Sequence, residues 1–266
     1  MDGVPRPAPR VRRGQARAAD PSPVQGGAVS ARSLRTRCAV VAEFSRHGSG
    51  YVLAGYLLLT LLLRGRRGRP GLADLRAVLV VAAVRPLFEW ALHRGVLHGP
   101  ARIVAGRSVD PGGAHRGHHR VPDDVAGALL GTGFAASNGA GVAVLGAAVG
   151  ALAAGPGGML SAAAAAEASL LGYEWLHLLA HSGYAPRSGW FRRLRAGHLR
   201  HHFRDEQANF GVTSRLADRL LGTAGARPPA GGSGADQDVF LAQPHRRAGE
   251  VDEVPLVGDG GAVRGA

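Results

Sequence analysis

The sequence contains no lysine and a single cysteine, Cys38. One cysteine excludes an intrachain disulfide and any cysteine-rich zinc site. Without lysine, the net charge of +13 rests on arginine alone. In a chain this heavy in alanine and glycine, that bias reflects the codons of a GC-rich genome. Aromatic residues make up only 5% and are not interleaved with the arginines, so stacking on nucleic acid has no support and no nucleic-acid partner is expected. Nine arginines fall within the first 46 residues, among Pro, Gly and Ser. That composition reads as a disordered arm. No apolar run precedes residue 51, too far in for an ordinary signal peptide.

Apolar residues concentrate between Tyr51 and His181. The run from Tyr51 to Leu63 closes on the arginines of 64–69. As thirteen helical residues it spans about 20 Å, short of a hydrocarbon core of roughly 30 Å, so the run either dips in, borrows flanking residues or crosses a thinned bilayer. A second run, Ala77–Val84, continues through Pro86 to Leu92. Pro86 is expected to kink it, and Arg85 and Glu89 sit at pairing distance, four residues apart. From Val125 to Ala166 there are 42 consecutive residues without a formal charge, broken by the turn residues Gly155-Pro-Gly-Gly158. Two helices of about 20 residues joined by that turn make a transmembrane hairpin, and their small residues suit close packing in lipid. The fold class read from this is all-α: about four multi-pass membrane helices under a helical cap. Its three parts are an arm over 1–46, a membrane-embedded domain over 47–223 and a loose Gly/Ala/Pro-rich tail over 224–266.

Ten of the twelve histidines fall into four groups. His93 and His98 lie in HRGVLH, and His115, His118 and His119 in HRGHH. His177 and His181 lie in HLLAH, and His198, His201 and His202 in HLRHH. His177 and His181, four apart on a helix, share a face and can grip one metal. In each HxxHH group the second and third rings bracket the first, enough to ligate one metal or to bridge towards two. The interval of five between His93 and His98 fits a helix that ends or bulges there, or ligands going to different metals. Ten neutral nitrogens exceed the needs of one ion. Two ions with about five nitrogens each would keep an open position, which suits iron and dioxygen, although imidazole also binds zinc well and an isolated sample could carry it. A metal transporter would instead place its ligands at mid-helix, often with acidic residues. Glu89 and Glu174 each precede a grouped histidine by a turn and are candidates to hydrogen-bond an imidazole N–H; Asp218 is a candidate brace.

One crossing, 125–154, separates the helix ending at His93 from the helix ending at His181. Their ends therefore emerge on one side, and all four groups meet there. Arg102, Arg107, Arg116, Arg120, Arg192 and Arg193 on that side mark it as cytoplasmic. The arginines of 64–69 end up outside if the first run crosses fully.

In order, HX4H, HX2HH, HX3H and HX2HH resemble the fatty acid hydroxylase/sterol desaturase superfamily of membrane di-iron enzymes. The surroundings agree: Glu89-Trp-Ala-Leu-His93, Tyr173-Glu-Trp-Leu-His177, Asn209-Phe-Gly-Val-Thr-Ser214 and Asp218-Arg-Leu-Leu-Gly-Thr223. The resemblance covers about residues 85–223. It implies a four-helix anchor under a cytosolic cap, the ten grouped histidines as iron ligands, dioxygen as co-substrate and a lipid substrate, most readily a fatty acyl chain. A carotenoid or sterol hydroxylase, or a desaturase, is the alternative within it. Some relatives carry a fused cytochrome b5 domain with a His-Pro-Gly-Gly haem motif. This chain has Asp110-Pro-Gly-Gly113, so electrons are expected from a separate ferredoxin- or cytochrome b5-like protein. Ala217 stands where a tryptophan is expected before Asp218.

Overall fold

The computed structural model of the chain describes residues 29–184 and 186–225. Four long helices form its body: α2 (Gly48–Gly65), α3 (Leu72–Leu92), α6 (Thr132–Ala154) and α7 (Met159–His181). Five shorter ones, α1 (Arg37–Arg46), α4 (Gly113–Arg120), α5 (Val125–Ala128), α8 (Gly189–Phe203) and α9 (Leu216–Leu220), gather at one end. A hairpin of β1 (Arg102–Val104) and β2 (Arg107–Val109) interrupts the helices. It turns through Ala105 and Gly106, both at positive φ, as a two-residue hairpin requires. The all-α expectation had no place for it.

Part of the expected arm is ordered. Ala31–Ser33 forms one 3-10 turn, and α1 starts at Thr36, whose hydroxyl accepts Ala39 N at 3.2 Å. Residues 1–28 and most of the expected tail, from 226 on, lie outside the described residues. Ala31, Leu34 and Val40 pack with Val125, Leu129, Leu178, Leu179 and Phe191 in a core that joins this segment to α5, α7 and α8.

The thirteen-residue run extends further than its apolar letters suggest. α2 begins at Gly48 and has 18 residues, about 27 Å of helix. α3 runs unbroken through Pro86, and Arg85 meets Glu89 at 3.5 Å. Among the described residues, α2 and the stretch Val125–Ala154 are long and apolar enough to cross a membrane. Only 22% of each is buried, so neither behaves as the core helix of a soluble bundle. Their outward side chains are apolar: Leu58, Leu59, Leu61 and Leu62 on α2, Val144 and Leu152 on α6.

α7 packs against α2, α3 and α6. Glycine permits its approach to α6. A Cβ on Gly150 would lie 2.6 Å from Ala162 Cβ and 2.8 Å from Gly158 O, and one on Gly146 would lie 2.8 Å from Ala166 Cβ. Polar pairs also cross the bundle. Thr60 on α2 donates to the buried Glu167 on α7 at 3.1 Å. At the end away from the histidines, Arg64 forks onto Asp74 at 2.6 and 2.5 Å while Ser161 donates to the same carboxylate, tying α2, α3 and α7 together. The arginines of 64–69 therefore begin at the opposite end of the bundle from the histidines.

Candidate metal centre

Ten histidines from the segment after α3 and from α4, α7 and α8 converge in two groups of five. The first holds His93, His98, His115, His119 and His201; the second holds His118, His177, His181, His198 and His202. Within each group the facing nitrogens lie within 4.8 Å of one another.

Local backbone structure explains the assortment. His93–Leu97 is a π-helical turn, and His98 N–H bonds back to His93 O at 3.1 Å, five residues earlier. The wider turn brings rings five apart onto one face, so both join the first group. Of the two readings of that interval, the backbone shows the bulge. On α4, His115 and His119 face the first group while His118 faces the second. On α8 the order is mirrored, with His198 and His202 in the second group and His201 in the first. Each HxxHH segment thus spans both groups. His119 and His202 stack across the boundary with centroids 4.0 Å apart. His177 and His181, one turn apart on α7, stay together.

Neighbouring backbone fixes these elements. Gly112 lies so close to the π turn that a Cβ there would fall 2.2 Å from Leu97 O. Arg116 locks that approach by donating to Gly99 O at 2.5 Å and to both oxygens of Asp110 at 2.7 Å. Buried Arg195 on α8 donates to Ala180 O and Ser182 O at the end of α7, holding together the two helices that carry most of the second group. Burial lowers its pKa to about 10, which still leaves it a cation at neutral pH.

The outer nitrogens settle the tautomers. His93 Nδ1 lies 2.5 Å from Phe210 O and His201 Nδ1 lies 2.8 Å from Ala208 O. A carbonyl only accepts, so both rings carry their proton on Nδ1 and present a lone pair from Nε2. Those lone pairs point inwards. His93 Nε2 lies 2.9 Å from His115 Nε2, which lies 3.2 Å from His98 Nε2 and 3.1 Å from His119 Nε2. His98 Nε2 is in turn 3.0 Å from His201 Nε2. In the second group, His181 Nε2 is 3.1 Å from His118 Nε2 and 2.9 Å from His198 Nε2. The Nε2 atoms of His177 and His202 are buried without a hydrogen-bond partner.

Protonation does not relieve this crowding. Burial, then the neighbouring imidazoles, hold His115, His118, His198 and His202 well below the usual histidine range. The same causes bring His119 to about 3, and burial brings His201 to about 4. Burial holds the rings towards the neutral form, and the inward lone pairs of His93 and His201 face other imidazole nitrogens. A cation between them resolves the conflict. Two nitrogens bound at right angles about 2.1 Å from a metal would lie about 3.0 Å apart, which matches the observed separations. Five nitrogens per group leave room for a sixth, exogenous ligand. The residues fit a metal in each group.

Glu89 and Glu174 meet N–H and hydroxyl groups where imidazoles were expected, while Asp218 braces a loop. Glu89 accepts Val212 N at 2.6 Å, Thr213 N at 2.8 Å and the Thr213 hydroxyl, and no imidazole among its hydrogen bonds. Glu174 accepts Leu130 N at 2.8 Å and bonds Ser49. Asp218 accepts Phe210 N and Gly211 N, each at 2.9 Å, and Thr223 Oγ1 at 2.8 Å. Glu89 and Asp218 together clamp four consecutive N–H groups, 210–213. The carbonyls of the same loop, Ala208 O and Phe210 O, hold His201 and His93. Asn209 sits between them at φ 58°, a left-handed turn that asparagine tolerates. The support of these imidazoles is therefore backbone, with the carboxylates one step behind. Sequence reading missed Glu206, whose Oε1 lies 3.3 Å from His119 Nδ1 and whose Oε2 lies 4.0 Å from His98 Nδ1. No helical spacing links it to either ring.

The geometry agrees with comparison to known proteins. The sequence profile of the fatty acid hydroxylase family matches residues 78–223, from early α3 to the close of the loop beyond α9. The chain belongs to the fatty acid hydroxylase family. All ten converging histidines lie within the matched span. A 51-residue stretch of the chain is 39% identical to a dihydroceramide fatty acyl 2-hydroxylase of Arabidopsis thaliana, covering 19% of this chain and 21% of that protein. The chain thus matches about a fifth of the length of that curated relative. No solved structure matches it.

Proposed function

We propose that the protein is a membrane oxygenase that hydroxylates an unactivated C–H bond of a lipid acyl chain, with dioxygen as co-substrate. The observation that carries this reading is the inward convergence of ten neutral imidazoles into two adjoining five-nitrogen groups. His93, His98, His115, His119 and His201 would hold one iron, and His118, His177, His181, His198 and His202 the second. Bound there, the irons supply the dioxygen chemistry that side chains cannot perform alone. An all-nitrogen donor set with room for an exogenous ligand suits iron over structural zinc, which takes four ligands. The transporter alternative loses ground because no grouped histidine sits in the middle of a long helix: on α3 and α7 they lie in the last two turns or beyond the end.

The chain's own residues orient the ligands and exclude water. Glu89 and Asp218 fix the 208–213 loop, and its carbonyls fix two imidazole tautomers. The second group is wholly buried, which keeps its chemistry dry. We place α2, α3, α6 and α7 as a four-helix anchor beneath a cytosolic cap of α4, α5, α8 and α9, with the described part of 47–223 as one domain. The carboxylates of α3 and α7 are consistent with this, because Asp74, Glu89, Glu167 and Glu174 all face protein partners. The family and the acyl 2-hydroxylase relative favour an acyl chain over a sterol or carotenoid, and hydroxylation over desaturation. Electrons come from a separate donor protein.

Lipid mass spectrometry of cells expressing wild type against His201→Ala tests the reading. A lipid heavier by one oxygen atom should be present only with wild type. Identical profiles, with oxygen and reductant supplied, reject the oxygenase.

A further inference from the structure

Away from the histidines, α8, α9 and the loop between them enclose a cavity of about 210 Å³. Arg193, Arg215 and Arg219 line it together with Trp190, Ser214 and Leu216, and no carboxylate does. Nε of Arg215 is buried without a hydrogen-bond partner. Burial, and then the charges of Arg200, Arg219 and Arg193, pull the Arg215 pKa down. The acid that opposes them, Asp218, already accepts two backbone N–H groups and a hydroxyl. The cavity is thus lined by three guanidinium groups and no carboxylate, a setting that favours an anion.

The surroundings of the cavity identify the anion's carrier. Leu216, Leu220 and Leu221 are 48%, 66% and 46% exposed, and Trp190 is 52% exposed. α9 packs against α3, and Trp90 in the last turn of α3 donates to Thr223 Oγ1 at 2.8 Å, just beyond α9. On that part of α3, Leu87, Phe88 and Leu92 are also exposed. Apolar side chains in water are disfavoured. Beside arginines and an indole, they match the chemistry of a membrane interface, where leucines meet acyl chains and arginines meet phosphate.

We infer that this cavity seats the phosphate headgroup of an anionic phospholipid, whose acyl chains lie along the exposed leucines of α9. The inference rests on the membrane placement proposed above and is independent of the hydroxylase chemistry. It gives the cap a fixed height and tilt on the bilayer, since a phosphate held at Arg215 keeps α8 at headgroup level.

The test uses the full chain, solubilised from nanodiscs of equal phosphatidylglycerol and phosphatidylcholine, with co-purifying lipid counted by native mass spectrometry. Wild type should retain phosphatidylglycerol in preference. Since a juxtamembrane arginine contributes about 5-fold to binding of acidic lipid, Arg215→Gln/Arg219→Gln should reduce that enrichment by roughly 25-fold. Arg193→Gln, at an exposed position that folding tolerates, should reduce it by about 5-fold. Leu216→Gln/Leu220→Gln should weaken lipid retention with every arginine in place, which distinguishes a lipid from free phosphate. Equal retention of both lipids by wild type, or enrichment unchanged in Arg193→Gln, overturns the inference. So does competition by inorganic phosphate with no effect of the leucine changes. Slower turnover with an acidic donor protein, at unchanged lipid retention, would assign the cavity to that protein instead. Because the readout is bound lipid, an inactive hydroxylase leaves the result intact.

Discussion

The two histidine groups have the same number of donors, the same donor chemistry and nearly the same nitrogen separations, yet they are held in different ways. In the first, His98 and His119 are less fully buried than the rest, and the outer nitrogens of His93 and His201 lean on the carbonyls of a clamped loop. In the second, all five rings are buried, on helices that Arg195 and the core around Leu178 and Phe191 lock together. One group is positioned by hydrogen bonds and the other by packing. The difference teaches that ligand identity does not determine accessibility: the first group borders the exposed Glu206, while every ring of the second is buried.

Removing a ligand from the sealed group should do the greatest damage. His181→Ala opens a void among four remaining imidazoles, and product formation should fall at least about 100-fold, with less than two irons per chain by elemental analysis. Retention of full activity would break the proposed equivalence of the groups. Next, Asp218→Asn sets an amide N–H against the loop's own N–H groups and frees Ala208 O and Phe210 O to move. Metal affinity should drop about 10- to 100-fold, as for other outer partners of ligating histidines, and the loss should fall on the first group alone. Iron spectra reporting equal loss at both sites would show that loop and packing are one unit.

Arg195→Met addresses packing. It leaves Ala180 O and Ser182 O unpaired, and each abandoned buried acceptor costs about 1–3 kcal/mol. A lower unfolding temperature in detergent should accompany weakened metal at the second group. An unaltered temperature would mean that water replaces the guanidinium. The smallest effect should come from Glu206→Gln. Its carboxylate is exposed and, though close to His119 and His98, adds little in water; iron at the first group should exchange with a chelator only a few-fold faster. No change at all would reduce Glu206 to a surface residue.

Much of the centre was legible in the sequence because helix geometry is local. Spacings of three and four place His177 with His181 and let each HxxHH segment face two ways. What spacing leaves undecided is which way each ring turns. That depends on where α4 and α8 cross, and hence on contacts such as Gly112 against Leu97 O. The roles of Glu89 and Asp218 were harder to read, because their partners are backbone N–H groups 123 residues distant in one case and in a non-helical loop in the other. A backbone N–H has no letter of its own in a sequence. The length of α2 stayed open among several readings for a related reason: Gly48, Ser49 and Gly50 are poor helix formers alone, and buried contact with Phe44, Thr132 and Glu174 makes them helical.

The sequence by itself determined the residue chemistry: ten neutral nitrogen donors, their helical spacings, and an uncharged stretch long enough for a hairpin. These follow from side-chain identity and from the period of a helix, which any chain carries with it. Only the tertiary structure decided which five rings share a group, which group is sealed, and that backbone carbonyls hold the ring tautomers. Those outcomes depend on distances between segments far apart in the chain, and such distances exist only once the helices have packed.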